Sequence, residues 1–327
     1  GGAGAGNDTL SVRLLADAGI YGEASGSADY VSAWNYYAYA SVDYNNITMT
    51  AGSGNDVLTA QLAASARNTA LAIANNGAGS EQYAYAYAYT AYAYVYSNDV
   101  IMLGGSGNDR LSVMLSADAA VLGSASMSGG MTNSAYGSAY YAYAYMGYND
   151  ITMTGGAGND SLTAMLGVSA KGSAIAYNLG ESAYYAYAYA YYASAYGNYN
   201  NVFMGAGTGT DTLTLQITAQ ADLYASAFGV SADYVSAYAY YAYAGVGYNG
   251  VMMSGGAGDD SMSVLLSASA QNSAIAKAGW WPGNDYAYAY GYSAYGYIYS
   301  NDVFMAGMAG NDTLGVNMIA EASLLGS

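Results

Sequence analysis

Aspartates at the ends of glycine-rich pentapeptides are the side chains of this sequence best suited to chemistry. The first pentapeptide is Gly-Ala-Gly-Asn-Asp at 4–8, and close variants of it recur along the chain. Their final residues are Asp8, Asp56, Asp109, Asp160, Asp211, Asp260 and Asp312. Glycine lets backbone carbonyls approach closely, and hard cations such as Ca²⁺ prefer carboxylate and carbonyl oxygens. The pentapeptides therefore predict oxygen-ligand cation sites.

A second turn supplies further candidate ligands. Asp99, Asp150 and Asp302 each follow an asparagine that lies eleven residues before a pentapeptide aspartate. Other units carry Asn or Gly instead, and the pentapeptides at 207–211 and 308–312 depart from the common pattern. We therefore expect some sites to be weak or empty. The alternative is that each pentapeptide simply makes a tight turn without metal.

The charge balance favours the metal interpretation. The chain has 327 residues with 22 acidic and 5 basic side chains, a net charge of −17. Such a chain attracts cations and repels the phosphates of nucleic acids. It contains no Cys and no His, which removes the usual ligands of soft metals, the common nucleophile and the common general base. The sequence predicts a protein that is not an enzyme.

The pentapeptides mark a repeat that spans the whole chain. Their aspartates are 48, 53, 51, 51, 49 and 52 residues apart. We predict one repeat domain, 1–327, with units that start near 1, 45, 98, 149, 200, 249 and 301. Sequence similarity between alternate units suggests a super-repeat of about 100 residues. No uninterrupted apolar stretch is long enough for a transmembrane helix.

Alternation of side chains inside each unit predicts strands. Apolar residues lie two, four and six positions after each aspartate, as in Leu111, Val113 and Leu115. Period-two alternation is typical of a strand with one buried face. The expected fold is therefore all-β, and the register shared by every unit favours parallel stacking of whole units, with antiparallel hairpins as the alternative. It would be a stacked β-solenoid or β-roll of six coils and a partial seventh.

The variable part of each unit alternates Tyr with Ala, as at 83–89. In a strand this places Tyr on one face and Ala on the other, whereas a helix would scatter the tyrosines around its circumference. The tyrosines could pack as ladders above a thin alanine face, or they could form an exposed adhesive surface. Both arrangements indicate an interaction surface.

Two segments carry a family resemblance. Gly-Gly-Ser-Gly-Asn-Asp-Arg-Leu-Ser at 104–112 and Gly-Gly-Ala-Gly-Asn-Asp-Ser-Leu-Thr at 155–163 resemble the GGxGxDxUx nonapeptide of the RTX, or hemolysin-type calcium-binding, family. The resemblance implies a parallel β-roll in which glycine carbonyls and the aspartate hold Ca²⁺ between successive turns. It does not cover the tyrosine-rich halves. The family also stacks nonapeptides in tandem, whereas this chain has one per unit of about 50 residues.

These features predict a secreted structural protein. We expect a subunit of an extracellular fibre, surface layer or biofilm matrix, stabilised by Ca²⁺ and by tyrosine ladders. The chain starts inside a glycine turn and stops after a long strand, which predicts head-to-tail assembly with further copies. Lateral contacts with copies and with a cell-surface polysaccharide are also expected, without nucleic acid or a membrane span. The alternative is a monomeric cell-surface adhesin or a ligand-binding or ice-binding module.

Overall fold

A computed structural model describes residues 4–75, 82–129, 133–180, 183–279 and 286–327. Within these ranges the chain forms nineteen strands and no helix, in a sequence of long, tyrosine-rich and short strands that repeats. The long strands are β1 (Thr9–Gly26), β4 (Val57–Asn75), β7 (Arg110–Ser128), β10 (Ser161–Asn178), β13 (Thr212–Gly229), β16 (Ser261–Ala278) and β19 (Thr313–Gly326). The tyrosine strands are β2 (Tyr30–Asp43), β5 (Gln82–Tyr96), β8 (Asn133–Gly147), β11 (Ala183–Asn198), β14 (Tyr234–Gly247) and β17 (Tyr286–Tyr299). The short strands are β3 (Asn46–Thr50), β6 (Asp99–Ser106), β9 (Asp150–Ala157), β12 (Asn201–Thr208), β15 (Gly250–Ala257) and β18 (Asp302–Ala309).

Each set of strands forms its own parallel sheet. The seven long strands, six tyrosine strands and six short strands each stack in chain order. Equivalent residues lie side by side, so that Leu111 pairs with Leu58 on one side and Leu162 on the other. One long, one tyrosine and one short strand make one coil. The predicted β-solenoid is confirmed.

The buried core differs along the cross-section of a coil. Leu and Val point inward from the first half of each long strand, and Met with Ile or Val points inward from the short strands, as at Leu162 and Met153. The second half of the long strands and the tyrosine strands point mainly Ala inward. Ala70 and Ala72 on one sheet and Ala86 and Ala88 on the other are fully buried.

The long-strand and tyrosine sheets approach so closely that backbones touch in places. A Cβ atom on Gly123 would collide with the carbonyl oxygen of Ser138, and one on Gly137 with that of Ile175. Sheets with ordinary side chains pack about 10 Å apart, which leaves room for large residues between them. This interior has room for alanine and not for tyrosine.

The tyrosines therefore lie on the outside of the solenoid. Inward and outward positions alternate along β5, where each Ala is buried and each Tyr is partly exposed. Rings of successive coils stack on one another, as Tyr89 does on Tyr36 and on Tyr140. The expected ladders and thin alanine face are present, and the ladders form the outer surface.

An asparagine ladder fixes the corner between the tyrosine and short strands. The residue before each asparagine has φ between 50 and 58°, a left-handed conformation that non-glycine residues seldom adopt. Asn98 donates through Nδ2 to Val42 O at 2.9 Å and to Asn149 Oδ1 at 2.9 Å. The same side-chain contact recurs along the ladder formed by Asn45, Asn98, Asn149, Asn200, Asn249 and Asn301. Buried amides linked in this way hold every coil in the same register.

The close contact between the two sheets predicts that replacement by alanine lowers stability at one glycine and not at another. Gly137→Ala places a methyl group against the Ile175 carbonyl, with Gly123 O only 2.9 Å away, and overpacking of this kind costs about 1–3 kcal/mol. Gly167→Ala is the matched control, because its Cβ would meet only Thr218 Oγ1, at 3.7 Å. Thermal unfolding should show a clear loss for the first variant and little change for the second. Equal melting temperatures would contradict the close contact.

Candidate metal site and tyrosine face

Two glycines with positive φ shape the pentapeptide turns that end at Asp109, Asp160, Asp211 and Asp260. Between β6 and β7, Gly105 and Gly107 have φ of 113° and 121°. A Cβ on either would collide with a carbonyl of the preceding coil, that of Gly52 or Gly54. Glycine at these two positions therefore lets this turn stack tightly on its neighbour, whereas Met308 takes the place equivalent to Gly256 in the last turn, with φ of 74°.

The aspartate that ends each turn points into the solenoid and forms a column along its axis. Asp109 accepts a hydrogen bond at Oδ1 from the backbone N–H of Asp56 at 2.8 Å, and Asp160 accepts one from Asp109 at 2.8 Å. The column consists of Asp8, Asp56, Asp109, Asp160, Asp211, Asp260 and Asp312. The five central carboxylates are at most 3% exposed. The structure thus brings all seven predicted turn aspartates together in one line.

The second carboxylate oxygen of each central aspartate has no hydrogen-bond partner. Asp109 Oδ2 faces Gly104, where a Cβ would lie 2.6 Å from it and would also collide with the Gly155 carbonyl oxygen. The same arrangement recurs one coil later, where Asp160 Oδ2 and the Ala206 carbonyl flank Gly155. A carboxylate and a carbonyl from adjacent coils thus converge on a space that only glycine leaves open. This oxygen-only donor set fits Ca²⁺.

The glycine five residues before the aspartate was not identified from the sequence as a functional residue. Glycine occupies this position at Gly104, Gly155, Gly255 and Gly307, but Ala51 and Ala206 occupy it in two coils. A methyl group there fills the space beside Oδ2. The doubled glycine of the nonapeptide is the sequence signal for the open space at Gly104, Gly155 and Gly255, whereas Gly307 is followed by Met308.

Burial and mutual repulsion make the aspartate column electrostatically unfavourable when it is fully ionised. Burial raises the pKa of Asp160 to about 6, against the lowering effect of the Asp109 N–H, and the charges of Asp211 and Asp109 raise it further. Burial also raises the pKa of Asp109 and Asp211. Protons or cations would relieve this repulsion.

The three remaining candidate ligands lie elsewhere. Asp99, Asp150 and Asp302 are exposed first residues of short strands, at the opposite end of each short strand from the turn. Asp99 and Asp150 are register neighbours, and Asp150 accepts a hydrogen bond from Asn201 Nδ2 at 2.8 Å. The described part of the chain contains no cluster of three or more acidic side chains able to hold a metal ion. A cation at the turns would therefore depend on few carboxylates and several carbonyls.

The outer surface of the tyrosine sheet is a packed aromatic layer. The most regular column of stacked rings lies where two aromatic or polar residues are consecutive in each tyrosine strand. These pairs interrupt the alternation of Tyr with Ala. The rings of this column stack with centroids 4.7–5.1 Å apart and planes within 9° of each other. These residues are Tyr36, Tyr89, Tyr140, Tyr191, Tyr240 and Tyr292. Offset stacking of this kind stabilises neighbouring coils.

Small outward residues allow the rings to close over the sheet. Ser134, Ser138, Ser194 and Ser236 point outward yet are only 3% exposed. Burial among other phenols raises the pKa of Tyr85 and of Tyr87 to about 12. Because the ring plane contains the axis from Cβ to the hydroxyl, stacked rings cover each other's faces. They present mainly edges and hydroxyl groups to solvent.

The aspartate column predicts a distinct pH dependence in the absence of metal. A raised pKa means that the folded state prefers the protonated carboxyl, so stability is greatest below the unfolded pKa and is lost as pH rises through about 6. The melting temperature in chelator should rise as pH is lowered from about 7.5 to about 5. Replacing Asp109, Asp160 and Asp211 by Asn should flatten this dependence. The matched triple variant of Asp99, Asp150 and Asp302 should keep it, and equal slopes in both triples would count against the column.

Comparison with known proteins identifies the family that the turn resembles. Residues 152–167 match the model of the RTX calcium-binding nonapeptide repeat (4 copies). The matched segment includes Gly155 and Asp160, the glycine and the carboxylate that flank the open space described above. No curated protein and no solved structure matches the chain. The predicted resemblance is confirmed for this segment, which is similar to the repeat of a family that binds Ca²⁺.

Proposed function

We propose that this chain is a structural subunit of an extracellular fibre, matrix or surface layer. The chain is stiffened by calcium at the glycine turns and by tyrosine ladders on the outer face. One observation carries the proposal: equivalent residues pair from coil to coil in all three sheets, interrupted in the tyrosine sheet by a one-residue shift between Ala183 and Tyr185. Three columns, of aspartate, asparagine and tyrosine, run along the solenoid. This architecture provides a regular rod and a long lateral surface without needing a reacting group.

Calcium would be held where glycine leaves the space beside the aspartate open. The best-defined spaces lie between Asp109 Oδ2 and the Gly155 carbonyl and between Asp160 Oδ2 and the Ala206 carbonyl. Bound Ca²⁺ would supply positive charge to unpartnered buried oxygens. The chain contributes the carboxylates, the carbonyls and the two positive-φ glycines that bring adjacent turns together.

A calcium site with few carboxylate ligands suits an extracellular protein. Calcium sites in extracellular modules have dissociation constants of about 10⁻⁴–10⁻³ M, and affinity rises with the number of charged ligands. RTX calcium-binding repeats are typical of secreted proteins. In the described part of the chain no helix is long and apolar enough to cross a membrane.

Regular register also supports end-to-end assembly. Leu58 pairs with Leu10 as Leu213 pairs with Leu162, so the edge of one coil is complementary to the edge of any other. Unpaired parallel edges bind further strands readily, and a heterologous contact that does not close generates a filament.

Electron microscopy of the purified chain with calcium and with a chelator tests this proposal. Filaments or sheets that form in calcium and loosen in chelator are the expected result. Monodisperse particles in both conditions would overturn the structural role and favour a monomeric adhesin.

The calcium sites predict opposite effects for two substitutions. Gly104→Ala with Gly155→Ala should lower the number of ions bound by two and shrink the calcium-induced rise in melting temperature. Each lost site removes about 1.4 kcal/mol of stabilisation when calcium is tenfold above its dissociation constant. Ala206→Gly should enlarge the calcium-induced rise, because it removes the methyl group beside Asp211 Oδ2.

Calorimetric titration and thermal unfolding measure both effects, and Gly167→Ala is the control for glycine replacement on an outer face. The calcium-induced change is compared rather than the melting temperature itself, so a general loss of stability does not confuse the result. An unchanged calcium response in the double variant would exclude these spaces as the binding sites.

A further inference from the structure

We infer that the outer face of the tyrosine sheet is the lateral interface between two copies of this chain, which meet tyrosine face to tyrosine face. This inference deepens the proposed structural role by assigning the side-by-side contact to one surface. The face consists of the outward side chains of β2, β5, β8, β11, β14 and β17 and is called the tyrosine face below.

The tyrosine face is large enough for a stable interface. Its strands have at least fourteen residues, and six of them lie side by side. At about 3.3 Å per residue and about 4.8 Å per strand, the face measures roughly 46 by 24 Å, or about 1,100 Å². A standard protein interface buries about 800 Å² on each partner, and exposed patches of several hundred Å² usually mark interaction sites.

Charge favours a second copy at this face over any other face of the solenoid. The six tyrosine strands carry a single charged side chain, Asp43, at the end of β2. The outer face of the long-strand sheet carries Arg67, Asp118, Lys171 and others, and the short-strand face carries its own aspartates. With a net charge of −17, two copies repel each other unless their contact avoids the acidic groups. The tyrosine face avoids them.

Ring orientation disfavours a sugar polymer as the occupant. Carbohydrate stacking requires an exposed ring face, but the rings of Tyr140, Tyr191 and Tyr240 are stacked on each other with planes within 6°. The face presents hydroxyl groups and ring edges in rows. Each hydroxyl can donate and accept a hydrogen bond, so an identical face offers a matching array of partners.

Contact between two such faces would also cover their half-buried rings. Tyrosine is enriched at interfaces because its ring is apolar while its hydroxyl can form hydrogen bonds. Burial already raises the pKa of Tyr187 and of Tyr191 to about 12, so these two rings bring no phenolate charge into the contact at physiological pH.

Small-angle scattering distinguishes this lateral contact from end-to-end assembly. Face-to-face pairing thickens the cross-section of the particle, whereas end-to-end assembly lengthens the particle at constant thickness. We expect the unmodified chain to show a paired cross-section. Filaments of single-solenoid thickness would overturn the tyrosine interface while leaving the proposed fibre role intact. Paired particles that never lengthen would support the tyrosine interface and overturn the fibre role.

Matched charge insertions locate the interface. Tyr87→Glu with Tyr189→Glu places carboxylates near the middle of the tyrosine face on the second and fourth coils, and should abolish pairing. Thr59→Glu with Thr163→Glu adds the same charges to the outer face of the long-strand sheet on the same coils. This control should pair normally. Pairing in both variants, or loss of pairing in both, would overturn the assignment.

A measurement on the unmodified chain covers the case in which the tyrosine variant does not fold. Hydroxyl-radical footprinting at low and high protein concentration should show that Tyr189 and Tyr240 become protected on concentration. Tyr177 and Tyr224, which are 42% and 37% exposed on the long-strand sheet, should stay reactive. Protection that needs an added polysaccharide, or equal protection on both sheets, would overturn the inference.

Discussion

Parallel stacking in register is the constraint on which the rest of the structure depends. In such a solenoid every side chain lies beside its own counterparts, about 4.8 Å above and below. Tyrosine and asparagine benefit from this, because rings stack and amides hydrogen bond from coil to coil. Aspartate does not, because like charges come together in a buried column. The in-register stacking that orders the tyrosine face thus also aligns the aspartates in a buried column. A cation or a proton at the turns would neutralise the charge of that column.

The thin interior decides which residues face outward. Because backbones touch at Gly123 and Gly137, the space between the two larger sheets holds alanine. The apolar area buried per residue is small there, and the larger Leu and Met side chains of the core come mainly from the first half of the long strands and from the short strands. The stacked tyrosines add a second packed layer outside the sheet, which compensates for the modest core beneath them.

Much of this arrangement could be predicted from the sequence, and the missing parts have physical reasons. Alternation around Leu111 and the constant spacing to Asp109 indicate strands and a repeating coil. Large apolar rings usually point inward, so the outward direction of the tyrosines could not be predicted from the sequence. Only the short distance between the two sheets excludes an inward orientation. The open space at Gly155 depends on the neighbouring coil, so it emerges only when Ala206 O and Asp160 are seen together. The sequence offers Asp99 as a further ligand from a second turn, but the length of a short strand separates it from the turn aspartates.

The aspartate column and the tyrosine face lie on different parts of each coil, and this separation would matter for the proposed assembly. The aspartate column follows the short strands, while the tyrosine face belongs to a sheet joined to their other end through the asparagine corner. Calcium at the turns would tighten contacts along the solenoid axis, since its ligands come from successive coils. The tyrosine face lies parallel to that axis and acts at right angles to it. In the proposed assembly, axial stiffness would therefore respond to calcium and lateral association to protein concentration, each independently of the other.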